Sequence, residues 1–203
     1  VETQMSTKKW SEIGLAKGPS KAMMNYRYAF ERHQPERFNM YMQSLADGDT
    51  KINAGTLFPY EILERADLRE DYSGSFYGNY FTINDDAVLE AQWKALPNYV
   101  EEPENFLVMA DTSGSMTGRP MSTSISLAVY FAERNTGVFH NQFMTFSREP
   151  RFVNLEGGNL KEKIGCIESI IDSTNLEKAF REILEVAVAN NVPQDHMPKS
   201  LVV

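Results

Sequence analysis

Apolar and polar positions change their period midway along the chain. Before about residue 100 the apolar residues recur at helical spacing, and after it short continuous apolar runs alternate with helical patterns. Ser20 is placed to cap a helix with Met23, Tyr26 and Phe30 on one face. Pro35 then opens a second, in which Phe38, Tyr41, Met42 and Leu45 fall at i, i+3, i+4 and i+7 before Asp47-Gly48-Asp49 stops it. Two short helices in antiparallel reach form one unit of a helical hairpin array. A third short helix is predicted through Glu61–Leu63, and Asn84 is placed to cap a fourth bearing Val88, Leu89, Trp93 and Leu96. Between these two, residues 67–83 have no period. Tyr72 to Tyr80 reads as a mobile loop whose aromatic residues leave a binding role open. Pro97 and Pro103 bracket an acidic linker (Glu101, Glu102, Glu104), which divides the chain into 1–100 and 101–203.

The second part alternates strand and helix, the pattern of a parallel α/β sheet. Phe106 to Ala110 is an apolar run suited to a strand buried on both faces. Pro120 opens a helix with Met121, Ile125, Ala128, Val129 and Ala132 on one side. Val138-Phe139 with Phe143–Phe146 is the expected second strand, Arg151–Val153 the third and Leu201–Val203 the fourth. Two more helices are marked by Leu160, Ile164, Ile167 and Ile171, and by Leu176, Ala179, Phe180, Ile183, Leu184 and Ala187.

Chemistry concentrates at one place. Asp111 follows the first buried run, where open α/β sheets bind ligands, and Ser113 and Ser115 come after it in a loop turned by Gly114 and Gly118. Asp111, Ser113 and Ser115 all offer oxygen, the ligand preferred by hard cations such as Mg²⁺. Asp, Ser and Gly also fill ordinary turns, so it is the strand before and the helix after that favour a metal. Other loops fail on spacing. No Gly-Lys-Ser/Thr ending makes a P-loop, and Gly114-Ser115-Met116-Thr117-Gly118 is not a nucleophile elbow. Ser113 interrupts an aspartic-protease reading of Asp111-Thr112.

Charge and composition narrow the class. The 203 residues are 42% hydrophobic and 24% charged, with a net charge of −8, so no overall positive field attracts nucleic acid. Lys8, Lys9, Lys17, Lys21 and Arg27 are the only basic concentration. The single Cys166 cannot form an intrachain disulfide, which favours a reducing cytoplasm, and its isoleucine neighbours point to a packed thiol. No run approaches the roughly 20 apolar residues of a membrane span, and no secretory signal opens the sequence. His33, His140 and His196 are dispersed and have no zinc spacing. Base, nucleophile and orienting group are not found together, so the expected role is not enzymatic.

The Asp111-Thr-Ser-Gly-Ser115 motif resembles the metal-ion-dependent adhesion site of von Willebrand factor A domains. The resemblance implies a Rossmann-like A domain whose serines, Ser113 and Ser115, ligate the cation while Asp111 acts mainly through water. Thr174, in Ile171-Asp-Ser-Thr-Asn175, matches the second-loop threonine of that family, and a third-loop Asp is expected beyond Val203, leaving the domain C-terminally incomplete. The phrases Pro19–Tyr26, Lys51–Tyr60 and Ala95–Tyr99, followed by the motif, resemble the DUF2828 family, related to the TROVE-module proteins that include the Ro autoantigen. In those relatives a helical repeat ring precedes the A domain, and the ring of Ro binds small non-coding RNAs and the ends of misfolded RNAs. The resemblance thus implies two alternatives. One is a module binding an acidic group of a partner protein through Mg²⁺ or another divalent cation. The other is a Ro-like RNA-binding protein.

Overall fold

The computed structural model describes residues 1–71, 79–100, 106–170, 173 and 175–203. It divides into two compact units, one of Val1–Ala66 with Asp85–Pro97, the other of Asp67–Asn84 with Asn98–Val203.

The first unit is helical. Helices α1 (Glu2–Ser6), α2 (Ser20–His33), α3 (Pro35–Ala46), α4 (Pro59–Arg65) and α5 (Ala87–Lys94) enclose a core of Ile13, Leu15, Met23, Phe30, Phe38, Tyr41, Ile52 and Val88. Pro35 sits in the first turn of α3 as expected, because that turn has no use for its missing N–H. Two expected caps lie elsewhere. Ser20 is already helical, and its hydroxyl donates to Asn53 Oδ1 (3.0 Å). Asp86 caps α5 in place of Asn84, its Oδ1 accepting from the amides of Val88 and Leu89 (3.0 and 3.2 Å). Asp86 is also fixed by Arg27, which is buried beside it.

The second unit is built on a four-stranded sheet: β3 (Phe106–Ala110), β4 (Gln142–Thr145), β5 (Phe152–Asn154) and β6 (Ser200–Val202), in the order β5-β4-β3-β6. β4 and β6 lie parallel to β3 on either side of it. The expectation of a wholly parallel sheet is corrected at β5, which runs antiparallel to β4. Only residues 146–151 join β4 to β5, too few for the crossover that a parallel pair requires. Leu107, Val108, Met109 and Ala110 are all buried, as both faces of a central strand must be.

Helix α6 (Arg119–Arg134) starts after Gly118, whose φ of 89° turns the chain where a side chain would be strained. It packs Met121, Ile125, Ala128, Val129 and Ala132 inward, as their spacing predicts. Gly137–Phe139 is a 3₁₀ turn rather than the start of a strand. Helix α7 (Leu160–Ile164) ends where Gly165 follows it, so Ile167 is buried as part of an extended segment rather than a longer helix; Ile171 lies outside the described residues. α8 (Leu176–Ala189) buries Ala179, Ile183 and Ala187, while Leu176, Phe180, Leu184 and Val188, spaced by four, remain exposed.

The expected loop from Tyr72 to Tyr80 lies mostly outside the described residues, but its flanks form an antiparallel pair, β1 (Arg69–Asp71) and β2 (Tyr80–Thr82). This hairpin is extended by residues 167–169. Phe81 N donates to Ile167 O (2.8 Å), Ser169 N donates to Asn79 O (2.7 Å), and Tyr80 bridges Glu168.

Candidate metal centre

β3 ends at Ala110, and its connections leave in opposite directions, first to β4 on one side and later to β6 on the other. Such a reversal opens a crevice at the carboxyl ends of the strands, the place where open α/β sheets bind ligands. Asp111 lies there, half-buried. Its Oδ1 accepts from Ser113 N (2.8 Å), which folds the loop back over the carboxylate, and its carbonyl accepts from Ser124 Oγ of α6 (2.8 Å). Ser113 and Ser115 turn their hydroxyls toward each other, with the oxygens 2.9 Å apart. Ser113 is half-buried and Ser115 exposed, so the pair faces solvent.

The loop fits a cation in one respect that can be measured. Adjacent ligands of an octahedral Mg²⁺ with bonds of about 2.1 Å stand about 3 Å apart, the separation of the two serine oxygens. The donor set is otherwise neutral, and Asp111 alone among the three carries charge. Among the described residues no group of three His, Cys, Asp or Glu side chains is placed to hold a metal. Any cation here would therefore keep several waters, as Mg²⁺ does. Asp111, Ser113 and Ser115 are brought together; Thr174 lies outside the described residues.

A neighbouring segment is tied to the loop from behind. Thr112, buried, donates its hydroxyl to Glu168 O (2.9 Å), and Ser169 Oγ approaches Thr112 O (3.5 Å). The Ser169 hydroxyl also reaches Glu70 Oε1 of β1 (3.2 Å). Downstream, Asn175 N donates to Ser147 O (3.0 Å) just past β4, and Asn175 Oδ1 caps α8 through Lys178 N (3.1 Å). Both ends of the segment expected to carry the second loop are thus held near the carboxyl ends of β3 and β4. β1 was not expected, because its charged triplet, Arg69-Glu70-Asp71, shows no strand period.

The basic concentration of the first unit is largely engaged. Arg27 is buried against Asp86, Lys21 pairs with Glu61 (2.7 Å) and Lys9 with Glu12 (3.7 Å). The Glu61 carboxylate raises the Lys21 pKa, chiefly by accepting its hydrogen bond. Cys166 is half-buried, its Sγ 3.5 Å from Glu162 O, as a packed thiol would be.

The chain thus has two units, one helical and one mixed α/β with an oxygen-lined loop at its switch point. Residues 1–104 match the family model described as Domain of unknown function (DUF2828), and residues 105–203 match Domain of unknown function (DUF7788). The chain belongs to the DUF2828 family. It is similar to an uncharacterized protein of Acanthamoeba polyphaga mimivirus, with 30% identity over 207 residues covering 93% of this chain and 34% of the relative. The chain thus spans about a third of that relative's length. No solved structure matches. No helix among the described residues is long and apolar enough to cross a membrane.

Proposed function

We propose that the second unit is an A-type interaction module that binds an acidic group of a partner protein through a divalent cation. The observation that carries this reading is the convergence of the Ser113 and Ser115 hydroxyls at 2.9 Å beside Asp111, at the switch point of the sheet. Ser113 and Ser115 would hold Mg²⁺ directly, and Asp111 would hold one of its waters while fixing the loop through Ser113 N. The bound cation would supply an exposed positive site for a carboxylate. Among the described residues the site has no paired base and nucleophile, and binding rather than turnover is the role proposed.

Titration calorimetry with Mg²⁺ tests the reading. Saturable binding is expected, weak because neutral hydroxyls attract little. Asp111→Ala should weaken it at least 100-fold, while Ser113→Ala or Ser115→Ala should weaken it about tenfold, as estimates for losing a charged and a neutral oxygen. Absence of binding by the wild-type chain, or unchanged binding by Asp111→Ala, would overturn it.

A further inference from the structure

We infer that Thr112 is a positioning residue of the cation site: its hydroxyl locks the Asp111–Ser115 loop to residues 167–169, and through them couples cation binding to the docking of the β1–β2 hairpin. The inference rests on the cation reading above and gives a role to a loop residue that the reading leaves unused.

Thr112 stands between the loop's carboxylate and its first serine, so its backbone sets where both are aimed. Its own side chain is buried, 2% exposed, and donates to Glu168 O (2.9 Å), 56 residues further along the chain. Ser169 Oγ stands 3.5 Å from Thr112 O. The loop is thus held from two sides. Ser124 Oγ ties Asp111 O to α6, the helix the loop leads into, and Thr112 ties the next residue to a distant segment.

That segment is itself fixed by the hairpin, which lies along it as a neighbouring strand would. Phe81 N donates to Ile167 O (2.8 Å), Ser169 N donates to Asn79 O (2.7 Å), and Tyr80 pairs with Glu168 between them. The Glu168 carboxylate also pairs with Arg151, just before β5. The carbonyl that receives the Thr112 proton therefore has its place set by hairpin bonds on the residues before and after it. Undocking the hairpin releases that carbonyl, and releasing the carbonyl frees the loop.

Neutral hydroxyls attract Mg²⁺ weakly, so affinity depends on how much ordering the loop still needs when the cation arrives. A loop already locked by Thr112 loses less freedom on binding. Linkage makes the effect mutual. By whatever factor the docked hairpin favours the cation, the cation favours the docked hairpin.

Two measurements on the whole chain test this. Thr112→Val keeps the shape of the side chain and removes its proton, and should weaken Mg²⁺ about tenfold by calorimetry, the size typical of residues behind the ligands of a metal site. Thr112→Ser keeps the donor and should bind within about twofold of the wild type. Ile183→Val trims a buried side chain of α8, and should lower the melting temperature while leaving affinity at the wild-type level. Hydrogen exchange needs no variant: in the wild type, saturating Mg²⁺ should slow the Phe81 and Ser169 amides about tenfold relative to chelator, the same factor by reciprocity. In Thr112→Val that slowing should be lost. If the wild type binds, Asp111→Ala does not and Thr112→Val binds like the wild type, this inference falls while the cation reading stands. If the wild type itself does not bind, the cation reading falls and takes this inference with it. Equal losses of affinity in Ile183→Val and Thr112→Val, or no rescue by Thr112→Ser, would reduce Thr112 to a packing residue and overturn its role at the site. Unchanged exchange at Phe81 and Ser169 on adding Mg²⁺ to the wild type would overturn the coupling to the hairpin.

Discussion

Arg27 and Asp111 show how differently the two units treat a charge. Arg27 is buried and surrounded. Its Nε donates to Asp86, one terminal nitrogen to Met24 O and the other to Tyr28 Oη (3.2 Å), and Tyr28 in turn donates to Asp86 (3.1 Å). Asp86 also caps α5, so one closed network joins α2 to α5. Asp111 is half-buried at a strand end, bound to one backbone amide, with two hydroxyls converging beside it and no cation from the chain paired with it among the ion pairs of the described residues. The polar groups around Arg27 complete one another, whereas those at the end of β3 remain directed at solvent. The contrast separates an architectural charge from one available to a ligand.

The largest effect should come from breaking the closed network. Arg27→Ala leaves Asp86 buried without its partner and should destabilise the helical unit by about 3–5 kcal/mol. Chemical denaturation followed by circular dichroism reads this directly. Replacing both charges, Arg27→Met with Asp86→Asn, should recover most of the loss, because Asn still caps α5 and no uncompensated charge remains. A double variant as unstable as Arg27→Ala would mean that the ion pair is not what holds α2 to α5. Asp111→Ala should behave in the opposite way. Its loss of Mg²⁺ affinity, at least 100-fold, corresponds to about 2.7 kcal/mol of binding energy, while stability in chelator should fall by only about 1 kcal/mol, the worth of one loop hydrogen bond.

The same contrast explains which parts were legible in the sequence. Phe106–Ala110 and the α6 face could be read because burial on both faces of a strand, or along one face of a helix, leaves a long pattern. The three motif residues were legible because Asp111 directly follows such a pattern. β1 and β2 were not, since each has three residues and a register set by neighbours rather than by its own side chains, and of β5 the strand was legible but not its antiparallel direction. α8 was legible as a helix, but its apolar residues span two faces. Only packing shows that Ala179, Ile183 and Ala187 face inward and Phe180 and Leu184 outward.

The smallest effect concerns a polar atom that fits neither pattern. Tyr41 Oη is buried in the helical core and has no hydrogen-bond partner among the described residues. Burial pushes its pKa from 10.0 up to about 12, because the phenolate is disfavoured away from water. A folded-state pKa above the unfolded value means the protein holds this proton more tightly when folded. The associated stability is fully present below about pH 10 and is lost as pH rises toward 12. Tyr41→Phe removes an unsatisfied hydroxyl and leaves the ring in place, so at pH 7 it should stabilise the unit by about 1 kcal/mol. It should also flatten the alkaline limb between pH 10 and 12 relative to the wild type. Denaturation midpoints for the two proteins across that range isolate this residue from the other tyrosines and lysines that titrate in both. A destabilised Tyr41→Phe variant at pH 7 would show that the hydroxyl has a partner in solution, such as a buried water, and that the helical core is closed at Tyr41 as it is at Arg27.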